Sequence, residues 1–485
     1  MRPARPPPPS KRKITIPPPP NPPPPLLKTN DLNKQFYNYL WAYVLVALSG
    51  CLGNVVDGII VGNLISADGV SAINLSKPIN QFIFTLHLLI NAGAGMLVGY
   101  ALGQKDTARA RRLFTLALTT SVGIGLLLSL FGGLLFPDQT ARLLCSNDHI
   151  LPLARDYMQV LLLGNPAFIL MWGLSTMVGV DGQPKLVSAA VIIDNVVNLC
   201  LDIVFIQWLG WGITGSSAAT VVGHLVGIAI LLTHWRGRPS PDPSLPREGS
   251  GYRLRFSFAY LFGSRVSNQE GAGGGSAWLG SILSQGAPLA IASISLTLLL
   301  FSANTIVLST LGKVGIFAFA VSMNLLQVYN LFISGTCQTL QSLGAIQVGR
   351  GDAEALRMVI RKAFRFITVS LAATCLLVWI DPQLIAALFG ADNPDYLGET
   401  ATALRIFALS FIPFSYIYVL MIVYKLYKHH HIALFISFAL SLTVIPVLWI
   451  MGRVAPAYLW YSYLIAYVIE AVAIVLLHQL TVKKM

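Results

Sequence analysis

The chain is 485 residues long, 55% hydrophobic and only 11% charged, with a mean hydropathy of +0.67. A soluble domain carries about a quarter charged residues, so this composition excludes a water-soluble globular protein and defines an integral membrane chain. The net charge of +13 invites a nucleic-acid partner, but its placement excludes one, as the spans below make clear.

Thirteen of the first 25 residues are proline, in "RPPPPSKRKITIPPPPNPPPP". Such a run is extended and solvated, so residues 1–35 are expected to form a disordered cytoplasmic tail. The tail lacks the apolar core of a signal peptide, which leaves the first helix as the internal signal. A spanning helix needs roughly 20 apolar residues. Six such runs follow, at 38–66, 78–102, 113–136, 152–180, 185–208 and 213–235. They define an N-terminal six-helix lobe over 36–235. Residues 236–278 then form a polar cytoplasmic linker, "GRPSPDPSLPREGSG", with a short basic amphipathic piece, "RLRFSFAYLF", suited to the inner leaflet. Six more runs, at 280–311, 316–348, 358–380, 401–426, 430–452 and 457–480, make a C-terminal lobe over 279–480, and 481–485 is a cytoplasmic tail.

With both ends cytoplasmic, 27 of the 33 Lys and Arg residues fall on the inner side. The other six are Lys77, Arg142, Arg155, Lys313, Arg405 and Arg453. That split is what the positive-inside rule gives for an even number of spans. The five cysteines, Cys51, Cys145, Cys200, Cys337 and Cys375, have no metal-site or redox spacing and read as packing residues.

The halves resemble each other. "LVGYALGQKDTARARRLF" (97–114) aligns with "LGAIQVGRGDAEALRMVI" (343–360), putting Gly103 on Gly349, Asp106 on Asp352 and Arg111 on Arg357. Pro166 falls on Pro413, Gln81 on Gln327 and Asp57 on Asn304. Each half has six helices, so both copies face the same way. This is a parallel repeat about an axis along the membrane normal, with a site expected between the lobes.

Ionisable groups at membrane depth are functional candidates. Helix one carries Asp57 in "GNVVDGIIVGNLI", and helix five reads "DNVVNLCLD", with Asp194, Asn195, Asn198 and Asp202. Asn195, Asn198 and Asp202 are spaced i, i+3, i+7 and share one helix face. Helix six adds Thr220. The second half has no carboxylate at matching positions, and Glu470 is its deep acid. A carboxylate at mid-membrane costs roughly 2.5–3.5 kcal/mol. Desolvation and a second carboxylate raise its pKa, so Asp57 and Asp202 together can exchange a proton. The same oxygens, with those of Asn and Thr, also suit a hard cation.

These segments resemble the multidrug and toxic compound extrusion (MATE) transporters over roughly residues 36–480. The resemblance rests on "VVDGIIVGNLISADGVSA", on "ALGQKDTARARR" and its repeat, and on "NVVNLCLDIVFIQWLGWGITGSSAATVVG". It implies an all-α fold of twelve transmembrane helices in two lobes forming a V, exporting organic, often cationic, compounds in exchange for H⁺ or Na⁺. Carried onto this chain, the N-lobe cation site comprises Asp57, Asn198, Asp202 and Thr220, with a contribution from Ser175 of helix four. Two departures stand out. Helix seven, "GAPLAIASISLTLLL", has no acid, and no proline precedes Asp57 in helix one.

Gln81, Phe84 and Asn91 on helix two, and Met323, Gln327 and Asn330 on helix eight, form stripes suited to lining a cavity for greasy cations. Gly95, Gly99 and Gly103 form a small-residue ladder for close helix packing. "KHHH" (428–431) is expected to be a solvated inner loop and "RARR" (109–112) an inner anchor. The expected function is therefore a secondary antiporter, not an enzyme. It needs no cofactor beyond its coupling ion and works as a monomer in the plasma membrane (the inner membrane of a Gram-negative cell). The alternative is a lipid-linked oligosaccharide flippase of the same architecture. That alternative needs buried Arg or Lys facing the centre, and none is evident in the sequence. An intramembrane enzyme would need a paired nucleophile or base, and neither His87 nor His224 shows a partner in the sequence.

Overall fold

The computed structural model describes residues 29–65, 67–144, 150–235, 275–388 and 394–482. The Pro-rich run, the amphipathic piece of the linker and Cys145 lie outside these residues. The described residues are almost wholly helical and contain no strand.

Twelve spans follow in chain order. They are α1 (Thr29–Leu64), α2 (67–103), α3 (107–135), α4 (151–180), α5 (Pro184–Trp208) and α6 (Ile213–Trp235) in the first lobe. The second lobe has α7 (275–311), α8 (313–350), α9 (Ala353–Ile380), α10 (Pro394–Leu426), α11 (His430–Val454) and α12 (Tyr461–Val482). α4 is bent by 51° at Gly164, just before Pro166, where the proline withholds a backbone donor. α7 and α8 run on from each other across Gly312, whose φ of 64° and ψ of −149° are accessible only to glycine. The chain therefore turns there without a loop.

Rows of large apolar side chains stay exposed. Leu126, Leu127, Leu130, Phe131 and Leu134 line α3, and Leu376, Leu377 and Ile380 line α9. In a helix whose own backbone is fully bonded, that surface belongs against lipid. Two large cores dominate the described interior. One packs α2, α3, α4 and α5 through Ala94, Val98, Leu113, Phe114, Met177 and Val191. The other packs the second lobe around Phe407, Phe411, Tyr463 and Tyr467.

The expected tail boundary needs correction. α1 begins at Thr29, so 29–35 are helical, and 275–278 of the expected linker belong to α7. The cause is a stripe at i, i+4, i+8: Leu32, Phe36 and Leu40 are all buried, and they join the second lobe's core. Lys362 of α9 also sits over the rings of Phe36 and Tyr37.

The repeat is visible in local detail. Asp106 accepts from the Arg109 N–H at 3.0 Å and caps α3, and Asp352 accepts from the Ala355 N–H at 2.9 Å and caps α9. Both caps share nearly the same φ and ψ. The lobes touch along α2 and α7, where a Cβ on Gly286 would strike the Leu89 carbonyl, and again at the end carrying the basic loops, called here the basic end. A Cβ on Gly103 would strike the Ile346 carbonyl, and one on Gly349 would strike the Tyr100 carbonyl. The two repeat-related glycines thus face each other. Tyr43 and Ser342 share a 3.0 Å hydrogen bond across the lobes, and the Tyr100 hydroxyl donates to the Lys425 carbonyl at 3.1 Å.

Candidate functional site

α5 and α6 form an antiparallel hairpin through a turn in which Gly210 and Gly212 both have positive φ. Two cross-helix bonds fix its register. Asn198 donates to the Thr220 hydroxyl at 3.1 Å, and Asp194 meets His224 Nδ1 at 2.9 Å. The second pair lies four residues back along α5 and four forward along α6. Four residues the other way, the same register sets Asp202 level with Ser216, and both are fully buried. Thr220 itself donates to the Ser216 carbonyl at 3.1 Å, so its lone pairs remain to accept from Asn198.

α1 runs alongside α5 in the same direction. The Tyr43 hydroxyl lies against Gly179, just before α5 starts, and further on Asn195 donates to Ser49 at 2.9 Å. A Cβ on Gly53 would lie 3.0 Å from the Asn195 side-chain oxygen. Asp57 is one helical turn beyond Gly53, so its backbone falls level with Asn198 and Asp202. The Asp57 side chain lies outside the described residues. Ser175 is buried on α4, and its hydroxyl has no hydrogen-bond partner among the described residues.

The histidines require correction, since both have neighbours. His224 pairs with Asp194, whose carboxylate is nearly inaccessible to solvent. Glycines 223 and 227 on α6 let α5 approach this closely: a Cβ on Gly223 would lie 2.6 Å from Asp194 Oδ1. His87 of α2 lies 3.3 Å from the Asn91 amide nitrogen. The rings of His87, Phe84, Trp172, Phe168 and His224 then follow one another at centroid spacings of 5.2–6.4 Å. Sequence reasoning missed this strip because the pairing of helices is not written in one chain. The usable signal was the hairpin: folding α5 and α6 about the Gly210–Gly212 turn brings residues 194 and 224 opposite each other.

The expected cavity residues fall in different places. Asn91 is fully buried inside the first lobe, accepts from Ser121 at 3.1 Å and packs on Gly173, so it does not face an open cavity. Phe84 turns edge-on to Trp172, inside the same lobe. Gln81 reaches across the lobes and donates to Ser293 of α7 at 2.6 Å. Met323 packs on the second lobe's core, Asn330 is half-buried, and Gln327 is exposed. The expectation concerned Arg or Lys facing the centre, and a lysine is buried elsewhere. Lys425 near the end of α10 is fully buried and its ammonium has no hydrogen-bond partner. It sits at the basic end, not at mid-membrane. Glu470 of α12 is likewise buried, with both carboxylate oxygens unpartnered.

Two repeated six-helix lobes, with buried carboxylates at membrane depth in the first, define an integral membrane protein of the two-lobed repeat type. The MatE family model matches residues 44–204 and 288–450, one block per lobe and well over half of the sequence, and the chain belongs to the MatE family. Among curated relatives, the probable multidrug resistance protein YoeA of Bacillus subtilis is 24% identical over 194 residues, 39% of this chain and 42% of YoeA. The multidrug export protein MepA of Staphylococcus aureus is 24% identical over 197 residues, 40% of this chain and 44% of MepA. These matches therefore span less than half the length of either relative. Among solved structures, a mutant of the Vibrio cholerae MATE transporter VcmN superposes with a TM-score of 0.81 at 18% identity, over 94% of this chain and 98% of that one.

Proposed function

We propose that the chain is an ion-coupled antiporter of the plasma membrane, exporting amphipathic, often cationic, organic compounds. The observation that carries this reading is the buried ladder on one hairpin of the first lobe: Asp194–His224, Asn198–Thr220 and Asp202. Such groups are costly in a membrane core, where they pair with one another and mark ion or proton pathways. Their confinement to one of two repeated lobes suits a cycle in which ion binding re-orients that lobe against the other.

In this cycle Asp57 and Asp202 bind H⁺ or Na⁺ from the side opposite the basic loops, and drug leaves towards that side. The ion is released towards the basic end, which is cytoplasmic. Binding can drive transport only if the ion prefers one lobe arrangement. The lobes meet closely at the basic end, through Gly103, Gly349 and Tyr43, which suits the drug-releasing arrangement.

The test is export of several fluorescent cations from vesicles under separately imposed pH and Na⁺ gradients. One of the two gradients should drive export, and Asp57→Asn and Asp202→Asn should abolish that dependence. If neither gradient moved any cation, the flippase alternative would replace this reading.

A further inference from the structure

A cleft of about 440 Å³ opens at the basic end, between the lobes. Tyr100 and Arg109 line it from the first lobe, and Ser281, Gln285, Lys428 and His430 from the second. No carboxylate lines it among the described residues. Among the described residues neither Arg109 nor Lys428 is in an ion pair. Arg109 lies over the Trp278 ring, with the centroid 5.4 Å away, and the Lys428 ammonium lies 5.7 Å from that of Tyr100. The nearest acid in sequence, Asp106, gives an oxygen to the Arg109 backbone N–H.

The polar atoms around the cleft are short of partners. Among the described residues, Arg109 Nε, Gln285 Oε1 and His430 Nδ1 are all buried without a hydrogen bond, and Gln285 is only 4% exposed. Gln285 and His430 bring their remaining nitrogens to 3.3 Å of each other. A guanidinium, an ammonium and an imidazole around one cleft, without a counter-ion among the described residues, make a site for a phosphate, for which arginine offers a fork of donors.

The location favours a lipid source. The lining comes from the last turns of α2, the first turn of α3, the first three turns of α7 and the start of α11 with the loop before it, where apolar spans give way to basic loops. That is headgroup level, marked by the amphipathic ring of Trp278. Basic pockets between helices on the cytoplasmic side suit anionic headgroups. We propose that this cleft binds the phosphodiester of an anionic phospholipid. Because its donors come from both lobes, the bound headgroup ties the lobes together at the basic end and favours the closed arrangement there.

The test uses the full chain in nanodiscs of phosphatidylcholine, with or without phosphatidylglycerol, and reads thermal unfolding. Phosphatidylglycerol should raise Tm by about 3–6 °C, as a ligand of the folded state does. Arg109→Gln with Lys428→Asn should remove most of that rise. Lys428 has φ 63°, and Asn keeps that backbone available, so Lys428→Asn alone serves if the double variant does not fold. Arg357→Gln with Arg361→Gln, an equal loss of charge on α9, should leave the rise intact. An equal loss there, an undiminished rise in the cleft variants, or no preference over phosphatidylcholine would overturn the proposal. So would the same rise from soluble glycerol 3-phosphate in phosphatidylcholine discs, since that would make the ligand a free phosphate.

Discussion

At the scale of single residues, the buried pair Asp194–His224 and the acid Asp202 carry separable expectations. Removing one partner of a buried polar pair leaves the other unsatisfied, at about 1–3 kcal/mol. Asp194→Asn and His224→Gln should each lower unfolding stability by that order. The double variant should cost less than their sum, by at least about 0.5 kcal/mol. Thermal or detergent unfolding of the four proteins checks this, and strict additivity would mean the 2.9 Å contact is not an energetic one. Asp202→Asn keeps the shape of a fully buried side chain. It should leave folding near wild type while slowing gradient-driven export by about tenfold or more, roughly 1.4 kcal/mol in the barrier. Asp202, Asn198 and Thr220 were legible in the sequence, because helical periodicity and a polar residue in an apolar run need no knowledge of neighbours. His224 was not, because it sits among Gly, Leu and Val, and its meaning depends on the helix across from it.

At the scale of elements, spans were legible because lipid demands long apolar runs. Their starts and joints were less so. The first turns of α1 read "TNDLNKQ", and flanking polar residues hide the Leu32–Phe36–Leu40 stripe. The α7–α8 joint was placed within three residues of Gly312, although its lack of a loop was not foreseen. Gly312→Ala should destabilise the chain by about 1–3 kcal/mol, since its backbone lies outside the regions open to other residues. Gly103→Ala should act differently, by pressing a methyl group onto the Ile346 carbonyl and holding the lobes apart at the basic end. A cysteine at buried Ser342, in a chain stripped of its native cysteines, should then react with maleimide several-fold faster. Unchanged reactivity would show that the lobes close without needing the glycine.

At the scale of the whole molecule, the lobes touch at the basic end and along α2 and α7 as far as Gln81 and Ser293, while Asn304 and Gln327 of α7 and α8 are exposed. An impermeant thiol reagent should therefore reach Gln327→Cys from the face opposite the basic loops and not from the basic face. Labelling from the basic face alone would reverse the proposed orientation. The two-lobed plan was legible from the repeat, whereas the state of closure was not. Closure depends on which atoms of the two copies touch, and an internal alignment shows only which residues are equivalent.

The meeting of Gly103 with Gly349 has one more consequence. Equivalent positions touch themselves only on a two-fold axis, as in a symmetric homodimer. A half-length ancestor pairing with its own copy would have supplied both glycines from one codon, and any bulkier replacement would have struck twice at the same spot. In a fused pair that constraint holds only on the axis: positions that lie apart, such as 57 and 304, can differ, as Asp57 and Asn304 do, whereas a side chain at either axis glycine meets the other copy's backbone.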